Sequence, residues 1–152
     1  MRLTSLVAAA AGLVGLAAAG DAIVHNSCEE SVYLWSVGGS IGERHEVKPG
    51  EEWSEEIHRD PSSGGVAIKI TRGPDGLFDG SPQLIFAYTL EDPTLWYDLS
   101  TVFGDAFAGS PVTLSPSKEE CGVIHWPDGV SPPGSNVKTC SSDIDLALTL
   151  CG

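Results

Sequence analysis

Val24-His25-Asn26-Ser27-Cys28-Glu29-Glu30-Ser31-Val32-Tyr33-Leu34-Trp35-Ser36-Val37 joins an apolar extended run, a turn carrying a cysteine, and an aromatic, β-branched run. Strand, turn and strand at this spacing predict a β domain that starts here. Downstream, turn residues recur at short intervals: Gly38-Gly39, Pro49-Gly50, the stretch 60–65, Gly73-Pro74-Asp75-Gly76, Asp79-Gly80-Ser81-Pro82, Glu91-Asp92-Pro93, Gly109-Ser110-Pro111 and Pro127-Asp128-Gly129. Between them lie strand-like segments at residues 22–25, 31–37, 44–47, 52–57, 66–71, 83–90, 96–100 and 111–115. No amphipathic helix of ten or more residues is legible. The pattern predicts an all-β sandwich or barrel.

Alternation assigns faces within these segments. Trp53 shares a face with Ile57 and leaves Ser54 and Glu56 on the other, and Val66, Ile68 and Ile70 face inward together. Leu84-Ile85-Phe86-Ala87-Tyr88 is apolar throughout, which predicts a central strand covered on both faces. Trp96 and Tyr97 are adjacent and must point to opposite faces of an extended strand.

Upstream of the opening stretch, Arg2 precedes an uncharged run from Leu3 to Leu16 and then Ala17-Ala18-Ala19. A basic start, a short apolar stretch and a small-x-small site predict a secretory signal over residues 1–19, with cleavage after Ala22 as the alternative. The run is too short and too rich in Ala and Gly to span a bilayer of about 30 Å. Removing 19 of the 152 residues leaves 133, the length of one domain, residues 20–152. With Arg2 gone, 7 basic residues stand against 21 acidic ones, a net charge of −14. That balance excludes nucleic acid and anionic lipid surfaces as partners, and it reads as solubility outside the cell rather than as bait for a cationic ligand.

Cys28, Cys121, Cys140 and Cys151 make an even set in an oxidising compartment and predict two disulfides. Three connectivities are open. Cys121 and Cys140 bracket a turn-rich segment, read as a pinned excursion, whose closure would stabilise by about 3 kcal/mol; that choice leaves Cys28 for Cys151. The cysteine spacings are not Cys-x-x-Cys, and His25, His45, His58 and His125 are scattered, so neither metal nor cofactor is expected.

Glycoside cleavage needs two carboxylates about 5 to 9.5 Å apart, one held protonated. Asp75, Asp79, Glu91, Asp92, Asp98 and Asp105 are the candidates. Only Asp98 sits inside an apolar segment, Leu95 to Leu99, where desolvation raises a pKa; the others sit in turns or beside glycine and proline. Trp35, Trp53, Trp96, Tyr97 and Trp126 could stack on sugar rings if outward. There is no Gly-x-Ser-x-Gly elbow, and the cysteines are expected to be oxidised, so no nucleophile is signalled. No Asn-x-Ser/Thr sequon occurs in the mature chain.

Four motifs fall in order: residues 23–28 with Val32-Tyr33-Leu34-Trp35, then 47–53 around Pro49-Gly50, then Gly64-Gly65-Val66-Ala67-Ile68, then Trp96-Tyr97-Asp98-Leu99-Ser100. This order resembles the thaumatin-like proteins, and the short chain with few cysteines is similar to their small secreted fungal branch, the antigenic thaumatin-like or yeast-phase-specific group. The resemblance implies a β-sandwich whose N-terminal cysteine pairs with the C-terminal one, here Cys28 with Cys151. It also implies an acidic cleft associated with β-1,3-glucan, of which Asp98 alone matches. Ile85 stands where the Glu is expected and Phe103 where the next Asp is, with Asp105 displaced by two residues and Arg72 out of register. An Ile cannot donate a proton. The expectation is a secreted non-enzymatic protein of the cell surface, cell wall or host interface, an adhesin, antigen or virulence effector. The alternative is a β-1,3-glucan-binding or weakly hydrolytic protein using Asp98 with Asp105 or Glu91, and Trp96, Tyr97 and Arg72 as further ligand contacts. Cell-wall glucan or a host matrix protein is the partner class expected.

Overall fold

The structure, a computed structural model, describes residues 19–152. The predicted leader, Ala19 apart, lies outside the described residues. The strands are β1 (Asp21–Asn26), β2 (Val32–Val37), β3 (His45–Val47), β4 (Glu52–Glu56), β5 (Val66–Thr71), β6 (Gln83–Glu91), β7 (Thr94–Val102), β8 (Val112–Pro116), β9 (Ile124–Trp126), β10 (Lys138–Ser141) and β11 (Leu146–Leu150). No helix forms among the described residues. The strands divide into a five-stranded sheet, β4-β1-β11-β8-β9, and a six-stranded sheet, β10-β7-β6-β5-β2-β3. The first and last strands meet in the five-stranded sheet, where β1 and β11 pair in parallel with Asn26 beside Leu150; the other pairings among the described residues are antiparallel.

The inward residues are those the alternation selects. Val66, Ile68 and Ile70 on β5, Leu84, Phe86 and Tyr88 on β6, and Leu95, Tyr97 and Leu99 on β7 are at most 3% exposed. They meet Ala22 and Val24 of β1 and Leu146, Leu148 and Leu150 of β11 in one apolar core. The expectation for β6 needs a correction: it is central, yet Ile85 and Ala87 on its outer side are only half-buried. The sandwich covers one face of the six-stranded sheet, and the other face is open.

Two polar devices join the parts. Asn26, fully buried at the end of β1, donates from Nδ2 to the carbonyls of Glu30 (2.9 Å) and Val47 (2.8 Å), and its Oδ1 accepts from the Cys28 amide (2.9 Å). The turn inside the opening stretch is thus held to β3 by one side chain. Across the sandwich, Glu55 of β4 accepts from Tyr88 Oη (2.7 Å) and Ser36 Oγ (2.9 Å) of the opposite sheet. Burial, reinforced by the neighbouring Glu55 carboxylate, pushes the Tyr88 phenol well above its ordinary value.

Cys28 bonds to Cys151 and Cys121 to Cys140, the pairing expected. The segment between Cys121 and Cys140 is more than the excursion read from its turn residues. It supplies β9 to the edge of the five-stranded sheet and leads into β10 at the edge of the six-stranded one. It is fastened to the loop after β7: the Gly109 amide donates to Asp128 O (2.8 Å), and Gly129, at φ 66°, lies so close to Phe107 O and Ser110 O that a Cβ would collide.

Candidate functional site

Every second residue of β7 turns to the open face of the six-stranded sheet, which puts Trp96, Asp98 and Ser100 outside and Tyr97 inside. Register sets their neighbours. Asp98 lies opposite Ala87, Ala87 opposite Ala67, and Ala67 opposite Val37, so a row of small and apolar residues runs across four strands to the carboxylate. Trp96 lies opposite Thr89 in the next row, and Ile85 opposite Ser100 in the row beyond. The small side chains of Ala67 and Ala87 leave a trough between larger walls.

At the Asp98 end this trough is a groove of about 370 Å³, lined by residues 87–89, Glu91, residues 96–98 and Val137. A second groove of about 400 Å³ continues from the same Ala87 and Thr89 over Ala67 to Val37 and includes Lys69. Trp96 stands 44% exposed at the wall. Asp98 Oδ1 is buried and has no hydrogen-bond partner. Burial raises the Asp98 pKa above 3.8, opposed only by the Leu99 amide.

The other candidates are dispersed. Tyr97 is 1% exposed, and its hydroxyl donates to Gly122 O (2.6 Å); it meets the groove only along the strand backbone. Glu91 is at the groove's rim beside the β6–β7 turn, four residues of strand from Ala87, about 13 Å. Trp96 occupies the row between Glu91 and Asp98, and the Glu91 carboxylate approaches Arg59 Nη1 at 4.0 Å. Asp105 lies beyond the end of β7, with Asp98 to Val102 alone spanning about 13 Å. Its Oδ1 accepts from the Ser131 amide (3.0 Å), so it serves to hold the Cys121–Cys140 segment. Arg72 lies just past the end of β5 and outside the groove, in a cleft with Ser27, Glu29, Glu30 and the Cys28–Cys151 bond. Its Nε donates to Ala106 O (3.0 Å) and its guanidinium lies 4.5 Å over the Phe107 ring.

The residue facing Asp98 across the sheet is Ala87, and Ile85 is one row away; neither carries a carboxylate. Phe103, at φ 63° and 69% exposed, presents an aromatic ring from a left-handed backbone just past β7. Val137, 47% exposed, was hidden from sequence reading because it belongs to the groove only through the β10–β7 register. Among the described residues no three His, Cys, Asp or Glu side chains gather where they could hold a metal ion, and no helix is long and apolar enough to cross a membrane.

Several known proteins are similar to this chain in sequence or in fold. An antigenic thaumatin-like protein of Arthroderma benhamiae is 35% identical over 142 residues, 87% of this chain and 71% of that protein. The secreted thaumatin-like protein calA of Emericella nidulans is 28% identical over 148 residues, 86% of this chain and 81% of that one. Among solved structures, the protein elicitor MoHrip2 from Magnaporthe oryzae superposes with a TM-score of 0.74 at 27% identity, covering 88% of this chain and all of its own. The thaumatin-like xylanase inhibitor TLXI superposes with a TM-score of 0.58 at 14% identity, over 86% of this chain and 99% of its own, a likeness of fold alone. The family model that describes the Blastomyces yeast-phase-specific protein matches residues 9–152. With its two-sheet thaumatin-like sandwich and two disulfides, the chain belongs to the Bys1 family.

Proposed function

We propose that this protein is a secreted, non-enzymatic binding protein of the fungal surface, cell wall or host interface, of the antigen, adhesin or effector type, with residues 1–19 as its leader. The observation that carries this reading is the solitude of Asp98: Ala87 faces it, Trp96 separates it from Glu91, and Asp105 is committed to Ser131. Hydrolysis of a glycosidic bond needs a second carboxylate about 5 to 9.5 Å away to act as base or nucleophile. The names of relatives as antigenic, secreted and elicitor proteins support the same reading. Purified mature protein is expected to be retained by fungal walls, plant tissue or extracellular-matrix proteins in pull-downs, and to release no reducing sugar from laminarin between pH 4 and 7. Failure to associate with any of these surfaces would overturn it.

A second reading, β-1,3-glucan binding with weak hydrolysis, is favoured by one feature, the exposed Trp96 ring two residues from Asp98 on the same face. Sugar release abolished by Asp98→Asn would establish it.

A further inference from the structure

The trough on the open face ends at a charge that the protein itself leaves unpaired. Asp98 Oδ1 is buried without a hydrogen-bond donor, which leaves its lost hydration uncompensated. No basic residue lines the groove around it, and the one lining the adjoining groove, Lys69, is two strands and two residues away with no ion pair to Asp98. The charged groups nearest Asp98 along the two grooves are Glu91 on β6, already beside Arg59, and Lys69 on β5.

Three properties of the groove select its occupant. It is acidic in a chain of net charge −13, which draws cations toward it over long range. Its exposed wall is Trp96, the side chain whose ring face attracts a cation most strongly. Its floor is Ala87 and Ala67, small enough to admit a backbone close to the sheet, and its rim adds Val137, 47% exposed. A hydrated point charge would gain the carboxylate and lose its water; a planar guanidinium is more weakly hydrated, stacks on an indole and still donates to a carboxylate.

We propose that this trough docks an arginine side chain of a partner polypeptide, with the guanidinium on Asp98 and against Trp96 and the flanking residues laid over Ala87 and Ala67 toward Val37. The acidity read from the sequence as solubility then has a second use, as the field that guides a basic partner to this face. The inference rests on the binding-protein reading above and names the chemistry of its partner.

The test is titration of the mature protein, at two salt concentrations, with a short acetylated peptide carrying Leu-Arg-Leu, its isosteric citrulline counterpart, and laminaripentaose, followed by Trp fluorescence and by heteronuclear chemical-shift mapping. The arginine peptide is expected to bind at least tenfold more tightly than the citrulline peptide, to shift amides of residues 67, 87 and 96–98, and to weaken with salt. Asp98→Asn and Trp96→Ala are each expected to weaken it at least fivefold, whereas Glu119→Gln, an exposed acidic residue outside the trough, leaves it unchanged. Equal binding of the two peptides, indifference to Asp98→Asn, or preferential binding of laminaripentaose in the trough would each overturn it. If wild type and Asp98→Asn are retained equally by walls or matrix, the arginine site falls and the binding function stands; if neither is retained, the broader reading falls too.

Discussion

Removing the Cys28–Cys151 bond is expected to cost more than removing Cys121–Cys140, and the structure sets the difference. The first bond spans 123 residues and the second 19. In the chain-entropy model closing loops of those lengths stabilises by about 4.9 and about 3.2 kcal/mol. The short loop is nested within the long one, so with both bonds present the long loop is effectively about 104 residues, worth about 4.7 kcal/mol. The cavity left by truncation is comparable in the two cases, since each bond has one buried partner, Cys28 at 6% and Cys121 at 3% exposure, and one half-buried partner. Each double variant keeps the other bond at its full loop length, so Cys28→Ala/Cys151→Ala and Cys121→Ala/Cys140→Ala should differ by about 1.7 kcal/mol, or about 6 °C in Tm for a chain of this length. Urea unfolding followed by Trp fluorescence, with equal m-values as the check on two-state behaviour, measures it directly. Equal losses, or a greater loss from opening Cys121–Cys140, would refute the reasoning. They would mean that the short bond supports the folded edges β9 and β10 by contacts, rather than acting on the unfolded chain.

Asn26→Ala leaves the Glu30 and Val47 carbonyls and the Cys28 amide without their partner, and about 3 kcal/mol of stability should go with them; a loss under about 1 kcal/mol in urea unfolding would show that water replaces the side chain. Asp98 gives a pH signature: its raised pKa means the folded chain keeps a proton that the unfolded chain releases near pH 3.8. Stability should then fall as pH rises from that value through the folded pKa. Asp98→Asn removes this loss, so its Tm advantage over wild type should be absent at low pH and grow toward neutrality, and a gap independent of pH would sink the assignment.

How much of this was legible in the chain depends on whether a residue's neighbours are local. Alternation in Val66 to Thr71 and in Trp96-Tyr97-Asp98 is a local property, and it placed Ile68 and Ile70 in the core and turned Trp96 and Asp98 to the same outer face. The eight expected segments all became strands. Three were missed, for separable reasons. β9 and β10, three and four residues long, are buried in a stretch whose Pro, Gly and Ser residues signal turns. β11 alternates cleanly, with Leu146, Leu148 and Leu150 inward, but Leu and Ala carry little strand preference, and its parallel partner β1 lies more than a hundred residues away. Register across strands was the larger blind spot. That Ala87 rather than Ile85 faces Asp98, and that Val137 completes the groove, follows only from which strands pair and where.

The same register explains why the open face holds a trough without a catalytic pair. A sheet face offers one residue per strand in each row, so the chemistry of a row is decided by four or five independent positions brought together by pairing. In the row that contains Asp98, the positions on β2, β5 and β6 are Val37, Ala67 and Ala87. Carboxylates at the β6 position would be a few ångströms from Asp98 and would force one of the two to keep a proton, the arrangement acid–base catalysis requires. Alanine at that position removes the second charge and the side-chain volume together. What remains is depth beside a lone half-buried carboxylate, the geometry on which the proposed binding role rests.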